Sequence, residues 1–201
     1  MSTRDDRASI TSEASSARAE ASHRSLIAIL QLAYSGERAA GYAYNGHWRA
    51  VADPEEKARI RQIEDEEWHH RRLVGEMLAT LEAGPNPWRE IRAILIGRTL
   101  GLLCHVAPWF APMYGAGRLE SHNIGEYEDA ARYARDCGQA GFVDCLLTMA
   151  EVEWDHESYF RSKVEGHPWV RIVALWPQPP PRATIRSALG SGLSDSSRAP
   201  S

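Results

Sequence analysis

Residues 64–73 read EDEEWHHRRL, and residues 151–160 read EVEWDHESYF. Both stretches contain Glu-Trp-x-His, as Glu67-Trp68-His69-His70 and Glu153-Trp154-Asp155-His156. The surrounding apolar residues decide whether these polar side chains face water or the protein interior. Ile60, Ile63, Val74, Met77 and Leu81 recur at intervals of three, four and seven or more, leaving gaps in one helical stripe at positions 67 and 70. The same reading along Phe142, Leu146, Met149, Phe160 and Val164 leaves gaps at 153 and 156. Each helix thus places a Glu-x-x-His pair inside an otherwise apolar seam. Glu66 with His69 has the same spacing, but only Glu67 with His70 keeps the seam register.

Two further helices carry a single charge in their seams. One stripe runs Leu26, Leu30, Ala33, Glu37, Ala40 or Gly41, Tyr44, Trp48, and the other Met113, Gly117, Glu120, Ile124, Tyr127, Ala131. Glu126 competes with Glu120, but six residues along a helix turn it about 120° off the seam. The order along the chain is therefore Glu, Glu-x-x-His, Glu, Glu-x-x-His. The intervals are 30 residues from Glu37 to Glu67 and 33 from Glu120 to Glu153. This predicts two related helical hairpins facing each other across a pseudo-twofold axis.

The helices read from about Ser22 to Ala52, from Pro54 to Glu82, from Trp88 to His105, from Pro112 to Gly138 and from Gln139 to Glu165, with a short segment at Trp169–Trp176. Asp53-Pro54-Glu55-Glu56 and Asn86-Pro87 are start signals, and Gly84-Pro85 and Gly166-His167-Pro168 are stops. No strand-like alternation interrupts them. Residues 1–22 and 177–201 lack apolar periodicity and read as disordered tails around one domain at 23–176.

The 201 residues suffice for one core, and a net charge of −4 offers no basic surface for nucleic acid. Cys104, Cys137 and Cys145 are scattered and read as reduced thiols in a cytoplasmic protein. Residues 99–117 carry no formal charge, but His105, Pro108 and Pro112 break the run, which favours a buried or interfacial segment over a membrane span.

Four carboxylates in an apolar core are not tolerated without compensation. Two divalent ions balance four carboxylates, and two neutral imidazoles complete the shell. Oxygen-rich ligation with one histidine per ion suits iron, or manganese, better than structural zinc. A Glu from each of two helices with a Glu-x-x-His from each of the other two is the ligand set of ferritin-like dinuclear carboxylate proteins. The expected metal ligands are Glu37, Glu67, His70, Glu120, Glu153 and His156. The expected fold is an all-α, ferritin-like four-helix bundle with an additional apolar helix before its third helix.

With these residues in place, residues 25–165 resemble the demethoxyubiquinone hydroxylase family. SGERAA at 35–40 is similar to the family's Gly-Glu-x-x-Ala around its first ligand, Glu37. Glu67 with His70, Glu120 followed by Tyr127, and Glu153 with His156 match its remaining motifs. Pro87-Trp88 with Gly97 and Gly101 is similar to its Pro-x-Trp and glycine-rich helix, without the spacer residue. The family's C-terminal helices look shortened here to Trp169–Trp176. The resemblance implies an O2-dependent di-iron monooxygenase acting on a quinone-like or other apolar aromatic substrate. Electrons would come from a reduced nicotinamide or a reductase partner, since no dinucleotide-binding glycine motif follows a strand. Tyr127 is the candidate catalytic side chain, with core packing as its default role and hydrogen bonding near the metals as its alternative. Gly115, Gly117 and Gly125 would leave room for the substrate, with Trp88 to Phe110 as its apolar approach. Peripheral membrane contact through residues 88–117 and a homodimer are compatible with this reading.

Alternatives are a ferritin-like or rubrerythrin-like oxidase or peroxidase without organic substrate, another ferritin-like hydroxylase such as a tRNA-modifying one, and a metal-free helical interaction protein. Three scattered cysteines cannot build a rubrerythrin's four-cysteine iron domain, storage needs a large cage, and the charge of −4 disfavours tRNA.

Overall fold

The Asp53 side chain accepts hydrogen bonds from the backbone N–H groups of Glu55 at 3.0 Å and Glu56 at 2.8 Å, and Pro54 occupies the first turn. Asn86 accepts in the same way from Trp88 and Arg89 ahead of Pro87. These caps satisfy otherwise orphaned donors and fix two helix starts where local chemistry dictates. A computed structural model describes residues 3–191. Its helices are α1 (Thr3–Ala50), α2 (Pro54–Thr80), α3 (Pro87–Leu103), α4 (Phe110–Asp136), α5 (Ala140–Val164), α6 (Val170–Val173) and α7 (Thr184–Ser191). There is no strand among the described residues.

Short links join α1 to α2 and α4 to α5 as helical hairpins. α1 also packs on α4, and α2 meets α5. The connection between the hairpins contains α3, which lies outside the four-helix arrangement against α1. Glycines permit that close approach. A Cβ on Gly97 would sit 2.4 Å from Ala39 O, and one on Gly46 would sit 2.2 Å from Gly101 O.

The apolar interior is divided. Leu26, Leu30, Val74, Met77, Ile124, Ala131, Leu146 and Met149 belong to one buried cluster. Tyr44, Ile60, Ile63, Phe110, Met113, Phe160 and Val164 belong to a second. On every bundle helix the sequence interval between the two clusters contains the seam glutamates and histidines, so a polar layer crosses the core.

Several boundaries differ from the sequence reading. Helix α1 runs back through residues 3–22, which the sequence reading left outside the domain; Ala, Arg and Glu there are strong helix formers even without an apolar stripe. Helix α4 opens at Phe110, because Pro112 falls in its first turn, where no backbone donor is needed. Residues 177–191 do not form a loose tail. Trp154 Nε1 donates to Pro180 O at 2.9 Å, Arg182 and Arg186 pair with Asp155, Asp144 and Glu151, and Ile185 of α7 is buried. Residues 192–201 of the expected tail lie outside the described residues. No helix among the described residues is long and apolar enough to cross a membrane. The uncharged run at 99–117 is split by the turn before α4, with Leu102 and Val106 exposed.

Candidate metal centre

Glu37, Glu67, His70, Glu120, Glu153 and His156 are all buried and converge in the polar layer. They fall into two sets, Glu37, Glu67, His70 and Glu153, and Glu67, Glu120, Glu153 and His156. Within each set one ligand atom per residue lies within 4.8 Å of the others. Glu67 and Glu153 belong to both sets, so each set has one histidine, one glutamate of its own and two shared carboxylates.

The pairings between helices are reciprocal. His70 Nδ1 lies 2.9 Å from Glu153 Oε1, and His156 Nδ1 lies 3.2 Å from Glu67 Oε1. Each Glu-x-x-His therefore places its glutamate opposite the other's histidine, as antiparallel α2 and α5 require. The single glutamates behave likewise: Tyr127 donates its hydroxyl to Glu37, and Tyr44 donates to Glu120. Each tyrosine stands seven residues after one seam glutamate and serves the other. Tyr127, expected as the catalytic side chain, thus holds a candidate ligand. Tyr44 was read only as a stripe residue; its position seven beyond Glu37, matching Tyr127 beyond Glu120, was the signal that could have found it.

The arrangement lacks enough protons and donors of its own. Glu37 Oε2, both Glu67 carboxylate oxygens and His156 Nδ1 make no hydrogen bond of regular geometry, His156 Nδ1 and Glu67 Oε1 only facing one another at 3.2 Å. Burial, reinforced by neighbouring carboxylates, raises Glu37 and lifts Glu67 and Glu120 well above the usual carboxylate range. Burial opposes ionisation of Glu153 too, but hydrogen bonds with His156 and His70 prevail and carry it well below that range. Both histidines are raised against the effect of burial, His70 by Glu153 and His156 by Glu153, Glu66 and Glu67. Orphaned carboxylate oxygens and an orphaned imidazole nitrogen, all buried and converging, fit divalent cations of the oxygen- and nitrogen-preferring class.

The surrounding groups orient this donor set. His156 Nε2 lies 2.6 Å from Glu66 Oε2, leaving Nδ1 to the interior. Glu66 is anchored in turn by Gln62 at 2.8 Å and Arg59 at 3.3 Å. Asn123 Nδ2 donates to Glu120 Oε2 at 2.9 Å. The pseudo-twofold breaks at Glu66, because Val152 stands at the equivalent place before Glu153. Of the other acids in the opening stretch, only Asp65 is exposed. Glu64 accepts from Asn45 at 2.8 Å and Trp48 at 2.6 Å, and Arg71 pairs with Glu90 at 2.6 Å, so the outer face of α2 is tied to α1 and α3 rather than left to water. Glu126 pairs with exposed His122 and belongs to neither ligand set, although Glu153 is near enough to help raise its pKa. His47, whose ring lies against Tyr44, is 2% exposed.

A cavity of about 480 Å³ lies between α1, α3 and the start of α4. Ala40, Leu100, Leu103, Ala111 and Leu119 are among its walls, and Tyr44, the donor to Glu120, is another. Gly115 lines it with open space where a Cβ would be, but Gly117 does not make room for a ligand: the Trp176 ring already fills its notch at 2.5 Å from a built Cβ. Gly125 also has open space at its Cβ position but does not line this cavity. On the outside, Trp88, Leu95, Leu102 and Val106 of α3 and the following turn are exposed. No family model, curated protein or solved structure matches the chain.

Proposed function

We propose that the chain is a dinuclear-iron monooxygenase that hydroxylates an apolar aromatic molecule of quinone-like character. The observation that carries this reading is the adjacency of an apolar cavity to two ligand sets that share Glu67 and Glu153, with Tyr44 touching both. Glu37, Glu67, His70 and Glu153 would hold one ion, and Glu67, Glu120, Glu153 and His156 the other; manganese suits the same donors. Bound there, redox-active ions supply O2 reduction and the oxidising power for hydroxylation.

The chain's own residues prepare that chemistry. Glu66 fixes the His156 ring so that Nδ1 is free to coordinate. Tyr44 and Tyr127, whose hydroxyls burial and the facing carboxylates keep protonated, hold Glu120 and Glu37 in place without adding charge. The cavity walls exclude water and bind the apolar body of the substrate beside Tyr44. Electrons come from an external reduced nicotinamide or a reductase partner. The exposed apolar face of α3 suits peripheral contact with a lipid surface from which such a substrate would enter.

The test is anaerobic loading with Fe(II), chemical reduction and exposure to 18O2 with a short-chain quinol as probe. The expected product carries one 18O atom, and Glu67→Ala and His156→Ala form none. Consumption of O2 with no labelled organic product from quinols or simple phenols would overturn the monooxygenase reading in favour of an oxidase.

A further inference from the structure

Almost nothing in the cavity wall can recognise a polar group. Of its lining residues only Tyr44, His47 and Cys104 have a side-chain oxygen, nitrogen or sulfur. The Tyr44 hydroxyl is committed to Glu120, and a thiol is a weak donor. His47 differs from both. Its ring lies near-parallel to Tyr44 and Phe160, with centroids 6.3 Å and 6.1 Å away, and its buried Nε2 has no hydrogen-bond partner.

That orphan is costly, because a buried polar atom without a partner forfeits its hydration. A phenyl ring would pack beside Tyr44 and Phe160 without this cost. Burial also pushes the His47 pKa down to about 4, so the ring is neutral at physiological pH and has one nitrogen to donate and one to accept. A charged ligand group would find no counter-charge among the lining residues, whereas a hydroxyl or carbonyl would find one uncommitted imidazole, reached once the ring turns to bring a nitrogen to the cavity surface, since Nε2 is buried as the ring stands.

Resting on the reading of this cavity as the substrate site, we propose that His47 is its specificity-determining residue: it hydrogen-bonds a hydroxyl or carbonyl on an otherwise apolar ring and so sets which edge of the ligand faces Tyr44 and Glu120. The ligand class is then a neutral aromatic carrying at least one such oxygen, and pure hydrocarbons and organic anions are excluded.

Binding of 1-naphthol and naphthalene to the full-length protein, as purified and kept anaerobic to prevent turnover, tests this by isothermal titration. His47→Phe, which keeps the ring packing, should weaken 1-naphthol about fivefold and leave naphthalene unchanged. His47→Gln should recover part of the 1-naphthol affinity. Gly115→Trp, which fills the cavity, should abolish binding of both probes. The inference is overturned if His47→Phe weakens both probes equally, if it weakens neither, or if both still bind the Gly115→Trp variant. It fails independently of the oxygenase reading: a naphthol preference that needs His47, without 18O incorporation, would remove the reaction and leave the recognition.

Discussion

Glu67 presents two buried oxygens to the polar layer, and neither has a hydrogen bond. Its worth therefore depends on what occupies the site. In the metal-free protein the raised Glu37, Glu67 and Glu120 add stability that is fully present only below the ordinary glutamate value of 4.5 and is lost as pH rises through their folded values. The raised His70 and His156 act in the same sense above 6.5. Glu153 opposes them only on the acid side, where its stabilisation is lost as pH falls below 4.5. Metal-free protein should therefore melt lower at pH 8 than at pH 5.5. Glu67→Gln should flatten that slope and raise the pH 8 Tm by about 5 °C, read by calorimetry. A steeper slope in the variant would contradict the account. Glu66 acts through His156 alone, so Glu66→Ala should weaken one ion of the pair about 10–100-fold in a chelator competition and spare the other. The six converging residues were legible because each interrupts an apolar stripe. Glu66 was not, since its partner His156 stands 90 residues away on another helix and no local pattern names it; Tyr44 could be found only from its place seven residues beyond Glu37, because Glu120, which it serves, stands 76 residues away.

At the scale of elements, periodicity and caps located the end of α1 and the whole of α2 to α5 to within a few residues, and Asp53-Pro54 and Asn86-Pro87 fixed the starts of α2 and α3 because they satisfy helix ends locally. Two regions escaped that logic. The first turns of α1 have helix-forming residues without an apolar stripe in the sequence, and helix propensity is the signal that extends the helix there. Helix α7 rests on Ile185 and on Arg186 pairing with Asp144 and Glu151, contacts that exist only once α5 is folded. The glycines of α3 were visible as a glycine-rich helix, but not as the surface that lets it sit against α1. Gly97→Val would drive a side chain into the Ala39 backbone and should cost about 2 kcal/mol, lowering Tm by about 4–8 °C. An unchanged Tm would show that the α1–α3 contact is loose. Because Leu100 and Leu103 of α3 wall the cavity, the same substitution should also weaken naphthalene binding.

At the scale of the molecule, two hairpins of like design exchange donors across a pseudo-twofold, and the lone seam glutamates find their tyrosines in the opposite hairpin. The order Glu, Glu-x-x-His, Glu, Glu-x-x-His exposed this symmetry in the sequence. Its break at Glu66 and Val152, and the placement of the cavity on the α1–α3–α4 side alone, make the two halves chemically different. The face of α3 turned away from the bundle leaves Leu95 at 63% and Leu102 at 72% exposure, more apolar surface than scattered single residues account for. The wild-type protein should co-sediment with phosphatidylcholine and phosphatidylglycerol vesicles, and Leu95→Glu with Leu102→Glu should reduce the bound fraction several-fold. Equal sedimentation of both proteins would remove the lipid-surface contact without touching the metal centre.

The central claim is that six buried side chains form one two-ion site, and metal stoichiometry tests it most directly. The wild-type chain, titrated anaerobically with Fe(II), dialysed and assayed by plasma mass spectrometry, should retain two irons per chain. Glu67→Ala and Glu153→Ala, which remove a shared ligand, should each lose both ions, while Glu126→Ala keeps both. Less than one iron per chain in the wild type, or two in either shared-ligand variant, would contradict the account.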